Sequence, residues 1–228
     1  MRNPSKIKEG AVEFSLGDWD GKVMVYSFAK MWIYLEAKGK LLFGRGFKLY
    51  GEDRELLFTL CNYIIRDEMN CRKLGIDPDK GLLLSGPVGC GKTSLIKLLR
   101  YLVPHRRPYE LIPCRNIVFG FNHVGYPTIS GYGNSGFYCF DDLGVEPTGR
   151  HFGKDCNVMG EILLSRYELF KNHRVMTHAT TNLNAEELED RYGNRVRSRM
   201  REMFNLVAFP NHTKDKRKQV VPACNQTK

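Results

Sequence analysis

Apolar positions change their spacing along this chain, and the changes separate helices from strands. In DRELLFTLCNYIIRDEMN, residues Leu56, Leu57, Leu60, Tyr63 and Ile64 recur at intervals of three and four. That spacing predicts an amphipathic helix, with Asp53 as its cap. LGIDPDKG reads as a turn. GLLLS, from Gly81, is short and apolar throughout, which predicts a buried strand; TSLIKLLRYL returns to helical spacing until Pro104 stops it. YELIPC predicts a second strand, followed by a short helix near Asn116 to Phe121. HVGYPTISGYGNSG is rich in Gly, Pro and Ser and reads as a loop. FYCFD predicts a third strand. NVMGEILLSRYELF predicts a helix with Val158, Ile162, Leu163 and Phe170 on its apolar side. RVMTHAT predicts a fourth strand and NLVAF a fifth. Between these two, NAEELEDRY is a helix capped by Asn184 with acids in its first turns, and NRVRSRMREMF is another. Strands that alternate with helices imply a parallel sheet covered on both faces. No internal repeat is present.

The flanks read differently. In residues 1–46, KVMVYSFAKMWIYLEAKGK is apolar but fits neither period cleanly, and FGRGF breaks it. We treat 1–46 as an N-terminal appendage of unassigned fold, 47–210 as the strand–helix domain and 211–228 as a loose basic tail. With 228 residues and 42% hydrophobic positions, one domain with an appendage is the expectation. Lys and Arg number 35 against 25 Asp and Glu, a balance that favours a polyanion such as nucleic acid or nucleotide among the ligands. Seven cysteines, an odd number with no CxxC pair, argue against a disulfide framework and against a zinc site. Cys61 and Cys139 read instead as small core residues in a reducing compartment. MRNPSKIKEG lacks the apolar core of a signal peptide, and no apolar run reaches membrane-spanning length, so a cytoplasmic protein with no membrane partner is expected.

Chemistry concentrates in four places. Gly86-Pro87-Val88-Gly89-Cys90-Gly91-Lys92-Thr93 fits GxxxxGK[ST] at every fixed position, between an apolar strand and a helix. Glycines let the backbone wrap with its N–H groups inward, and the helix N-terminus adds its positive field. In this reading residues Gly86 to Ser94 cradle ATP. Lys92 reaches the β- and γ-phosphates, and the Thr93 hydroxyl holds Mg2+. FYCFDDLG ends a strand in two carboxylates: Asp141 as the second metal anchor, and Asp142 placed to orient and deprotonate a water. Asn182, after the fourth strand, could sense the γ-phosphate or lead into the next helix, where Asn184 can cap by itself. Five arginines lie between Arg191 and Arg201. On a helix Val196, Met200 and Met203 share a core face. Arg195 and Arg199 lie on one flank, Arg197 and Arg201 on the other. These flanks suit a neighbour's nucleotide, DNA phosphates, or a solvated face paired with Glu186, Glu187, Glu189 and Asp190. Phe121, Tyr126, Tyr132 and Phe137, in and around the glycine-rich stretch, can pack or stack on bases.

Taken in order, KGLLLSGPVGCGKTSLIK, CFDDLG, ILLSRYELFKNHRVMTHATTNL and RYGNRVRSRM resemble the Walker A, Walker B, sensor-1 and arginine-finger segments of the DnaC/IstB-like AAA+ ATPases. The resemblance covers about residues 50 to 210, and the DDLG ending is typical of that group. It implies an AAA+ type P-loop NTPase fold, α/β, with a five-stranded parallel sheet in the order 5-1-4-3-2. It implies Lys92 and Thr93 on phosphate and metal, Asp141 on metal, Asp142 as catalytic carboxylate and Asn182 as sensor. Arg199, with Arg195 as second choice, is implied as a finger acting on a neighbour's nucleotide. The implied activity is ATP hydrolysis in a nucleotide-dependent homo-oligomer around single-stranded DNA, loading or remodelling a replicative helicase. A transposition helper serving a transposase, or a nucleotide-gated DNA-binding adaptor with negligible turnover, shares the same motifs. Two departures stand out. Residues 1–46 show no recognisable helicase-binding domain, and too few residues follow NLVAF for a helical lid, so no C-terminal lid and no lid arginine are expected.

Overall fold

Strands that are apolar on both faces need cover on both sides, and the architecture follows from that. The structure, a computed structural model, describes residues 4–210 and 212–219; residues 1–3, 211 and 220–228, with Cys224 among them, lie outside the described residues. The chain opens with two antiparallel hairpins, β1 (Lys6–Glu9) with β2 (Val12–Ser15), and β3 (Gly17–Trp19) with β4 (Met24–Tyr26). Helix α1 (Phe28–Phe43) follows, opened by the Ser27 hydroxyl. Then come α2 (Arg54–Ile65), α3 (Glu68–Lys73), β5 (Gly81–Ser85), α4 (Lys92–Leu99), β6 (Glu110–Pro113), α5 (Cys114–Val124) and α6 (Tyr126–Tyr132). After β7 (Tyr138–Asp141) a hairpin of β8 (Gly149–His151) and β9 (Lys154–Cys156) precedes α7 (Val158–His173). β10 (Thr177–Thr181), α8 (Ala185–Met203) and β11 (Phe204–Ala208) complete the domain.

Five strands form one parallel sheet in the order β11-β5-β10-β7-β6. In terms of the five sheet strands this is 5-1-4-3-2, the order expected. Leu82 and Leu84 face one core and Leu83 the other, as the two-residue period of a strand requires. The first core joins the sheet to Leu95 and Leu98 of α4 and to Leu16, Met31, Tyr34 and Leu35, so the N-terminal segment packs into the domain's own interior. The second core holds Phe140, Ile162, Leu163, Val196 and Met200. Cys61 and Cys139 are buried in the first. Among the described residues, no helix is long and apolar enough to cross a membrane.

Several elements differ from the sequence reading. The helix expected from Asp53 breaks at Arg66, which is left-handed (φ 60°), and Asp67 caps α3 with its side chain. Asp53 does stand at the N-cap of α2, but its carboxylate makes no cap bond and pairs with Lys216 instead. The stretch HVGYPTISGYGNSG is not all loop: residues 126–132 are helical because Pro127 suits a first turn and Ile129 is buried against the second core. The short helix after β6 is longer than expected, spanning Cys114–Val124. The tail is not loose where it is described: Thr213 is buried, and Lys216–Gln219 form a 3-10 turn against the phosphate loop.

Two buried polar side chains join these layers. Arg166 of α7 is wholly buried. Its Nε donates to Thr177 Oγ1 at 2.8 Å and its amino groups donate to carbonyls of Asn134, Gly136 and Met176. Desolvation lowers its pKa to about 10, which leaves it charged at neutral pH. His178 of β10 is also buried, among Tyr63, Tyr109 and Phe137, and its Nδ1 accepts from the Leu82 N–H at 3.0 Å. That bond leaves the proton on Nε2. Burial, with Arg166 nearby, depresses its pKa from 6.5 to about 3. A histidine neutral in the fold gains a proton only on unfolding, so its contribution is full above about pH 6.5 and is lost as pH falls toward 3. Urea melts between pH 6.5 and 4.5 should therefore show this group removing up to about 1.4 kcal/mol per pH unit. His178→Gln keeps an acceptor for Leu82 and should flatten that part of the profile. An unchanged slope would assign the effect to other groups.

Candidate active site

The loop between β5 and α4 needs backbone angles that side chains resist. Gly89 and Gly91 have φ of 81° and 105°, in the left-handed region. A Cβ on Gly86 would come within 2.7 Å of Phe209, and one on Gly89 would collide with the Asp215 carboxylate. The loop wraps before the N-terminus of α4, whose first residue is Lys92. Lys92 is only 6% exposed, and its Nζ donates to the Gly86 and Pro87 carbonyls at 2.7 and 3.0 Å. A buried ammonium held by neutral carbonyls leaves its charge available to an anion. Cys90 lies beneath the loop with a thiol pKa raised by burial, so it is a packing residue there.

Opposite the loop stands the end of β7. Asp141 is buried, and its Oδ1 accepts from Thr93 Oγ1 at 2.9 Å and from Thr180 Oγ1 at 2.6 Å. Thr93 and Asp141, expected as metal anchors, are thus in direct contact. Among the described residues no three His, Cys, Asp or Glu side chains cluster as a metal cage. The pair suits Mg2+, which takes one or two protein ligands and completes its shell with phosphate oxygens and water. Asp142 turns away in a left-handed conformation (φ 57°), and its N–H donates to Thr180 Oγ1 at 3.0 Å. Desolvation and the Asp141 carboxylate raise its pKa, against the opposing pull of Lys92. Asn182 lines the same cavity as Asp142, and its Oδ1 is buried with no hydrogen-bond partner among the described residues. A buried amide oxygen of this kind has acceptor capacity left for a donor.

These residues open into a cavity of about 710 Å³. The phosphate loop from Val88 to Ser94, Asp142 and Asn182 line it, together with Phe43, Phe47, Leu49 and Tyr50. A lining that combines polar loop residues with apolar and aromatic side chains suits a triphosphate joined to a base. The segment after β11 closes the side. The Lys216 N–H donates to Gly89 O at 3.1 Å, its ammonium pairs with buried Asp53, and Arg217 lines the cavity. Burial raises the Asp53 pKa while Lys216 opposes it. Neither cation was among the sequence candidates. Lys216 and Asp53 are 163 positions apart, and nothing in local spacing links them.

α8 is two helical pieces that meet at Gly193 (φ 81°, ψ 158°), matching the two helices expected. A capping box of Asn184 and Glu187 opens it. Val196, Met200 and Met203 are buried as anticipated. The arginines divide unequally. Arg197 is buried and off any open flank. Arg201 pairs with Glu189 at 3.9 Å. Arg199 lies over the Tyr167 ring and 3.8 Å from Glu168. Arg195 is exposed, with no ion pair shown among the described residues. None of them lines the cavity of its own chain. Of the aromatic candidates, Phe121 is buried and Tyr126 exposed. Sequence reading passed over Phe152, which is 93% exposed at the β8–β9 tip between Arg150 and Lys154.

No family model matches the chain, and no curated protein does. Solved structures do. A DnaC helicase loader matches at a TM-score of 0.51 and 21% identity over 71% of this chain and 92% of its own. DnaI matches at 0.53 and 18% over 73% and 89%. AMPPCP-bound DnaA from Aquifex aeolicus matches at 0.50 and 14% over 74% and 50%. The sheet order, the glycine loop after its first strand and these likenesses agree: the chain has the P-loop AAA+ fold that the DnaC and DnaI structures share.

Proposed function

We propose that the protein is a magnesium-dependent ATPase of the helicase-loader kind, active as a nucleotide-dependent homo-oligomer on single-stranded DNA with a replicative helicase as its partner. The observation that carries this reading is the contact of Thr93 with Asp141 in front of the glycine loop. In the proposed reaction the loop N–H groups and Lys92 hold the β- and γ-phosphates, exchanging the Gly86 and Pro87 carbonyls for phosphate oxygens. Bound Mg2+, on Thr93 and Asp141, would neutralise charge on the phosphates. Asp142, which lines the cavity one residue beyond the metal anchor, accepts a proton from the attacking water. Asn182 orients that water or the γ-phosphate. The base lies beside Tyr50.

A neighbouring subunit supplies the remaining charge. Arg195 and Arg199 are the candidates, and Arg195 is the freer, since Arg199 is engaged by Tyr167 and Glu168. For DNA, the exposed ring of Phe152 flanked by two cations is suited to stack on an unpaired base while the cations meet phosphate.

Calorimetry with ATP should show uptake that requires Mg2+, and Lys92→Ala should weaken it by about tenfold or more. Asp142→Asn should leave binding in place and lower turnover by about a hundredfold. Tight binding without turnover, with DNA and partner present, would favour the adaptor reading instead. Mixing Lys92→Ala protein with Arg195→Ala or Arg199→Ala protein should restore turnover for whichever arginine acts across the interface; no rescue in either mixture would remove the trans-acting arginine from the scheme. Phe152→Ala should weaken single-stranded DNA binding by about tenfold in a fluorescence-anisotropy titration. An unchanged affinity would move the DNA site elsewhere.

A further inference from the structure

Glu146 is a buried carboxylate that the proposed reaction does not use. It follows the turn that carries Asp142, and its two oxygens point to different elements. Oε2 accepts from the Gly144 N–H at 2.8 Å, inside the turn. Oε1 accepts from the Tyr192 hydroxyl at 2.7 Å and lies 3.5 Å from the Arg191 guanidinium, both on α8. Arg191 also donates to the Glu146 carbonyl, and Asn157 donates to the Arg191 carbonyl at 3.0 Å. Tyr192 is 6% exposed, so the phenol and carboxylate meet out of water, where such bonds are strong and their loss is severe.

The place where this clasp grips α8 gives it meaning. Arg191 and Tyr192 are the last two residues before the break at Gly193, and Arg195 and Arg199 lie just beyond it. A Cβ at Gly193 would meet nothing within 4 Å, so the glycine is there for its backbone angle and not for space. On its other side the turn is tied to β10: the Leu143 N–H donates to Thr180 O at 2.8 Å, and Thr181 Oγ1 donates to Leu143 O at 2.7 Å. The carboxylate end of β7 therefore has a continuous polar connection to Arg191 and Tyr192, at the end of the first piece of α8 and next to the break that leads to Arg195 and Arg199.

We propose that Glu146 is a positioning residue that couples the Asp142 turn to α8, so that nucleotide at the phosphate loop and presentation of Arg195 and Arg199 are set together. This rests on the nucleotide reading above. A residue that served only to hold the fold would have no reason to link a nucleotide's arrival to the exchange of amides beyond Gly193.

The test is hydrogen exchange of full-length protein with and without Mg2+ and the non-hydrolysable analogue AMPPNP, in wild type, Tyr192→Phe and Glu146→Ala. Tyr192→Phe keeps the ring and removes only the hydroxyl, so it decides the matter if Glu146→Ala does not fold. In wild type, saturating nucleotide should change exchange over residues 194–203 by about threefold or more. In Tyr192→Phe that change should vanish while nucleotide still protects the phosphate loop and the unliganded sheet exchanges as in wild type. The same α8 response in Tyr192→Phe would overturn the proposal, as would wild type that binds nucleotide with no α8 response; both outcomes leave nucleotide binding intact. Wild type that binds no nucleotide overturns the nucleotide reading and this coupling with it.

Discussion

One carboxylate oxygen organises the functional end of this molecule. Asp141 Oδ1 receives a hydroxyl from Thr93 at the start of α4 and another from Thr180 in β10. A buried anion is tolerable only when donors or cations surround it, and here the donors come from the two elements that flank β7 in function. The same Thr180 oxygen accepts the Asp142 N–H, so one threonine sets the buried carboxylate and steers its exposed neighbour. The glycine loop, the strand-end acids and the Asn182 segment thus share a single frame.

Much of the fold was legible because its strongest signals are local. GLLLS and FYCFD are short apolar runs, and β5 and β7 form within them; the break at Gly193 falls between the two helical runs that the sequence separates. The motif between Gly86 and Thr93 was readable from glycine and lysine spacing alone. What escaped was made by distance. Asp53 looked like a helix cap because capping is local chemistry, yet its carboxylate is held by Lys216, far along the chain. Residues 126–132 looked like loop because their composition is poor in helix formers, and a single buried contact at Ile129 outweighs it. The β8–β9 hairpin has three-residue strands, too short for alternation to register.

The arginine-rich helix shows the limit of counting charges. A helical wheel places four arginines on two flanks, but it cannot say that Arg197 is buried or that Arg199 rests on Tyr167. The second fact depends on α7, which packs along α8 and carries Tyr167.

Beside the glycine loop, the cavity takes walls from residues 43–53 and from Lys216 and Arg217, with Lys216 lying 163 positions beyond Asp53. During synthesis the glycine loop is made well before its last wall exists. In the sheet β10 lies between β5 and β7, so Thr93 meets Asp141 only once β10 has been made, and the enclosure around Tyr50 waits further, for the segment beyond β11. The wall supplied by Lys216 and Arg217 can therefore be added only after all five strands of the sheet have been made.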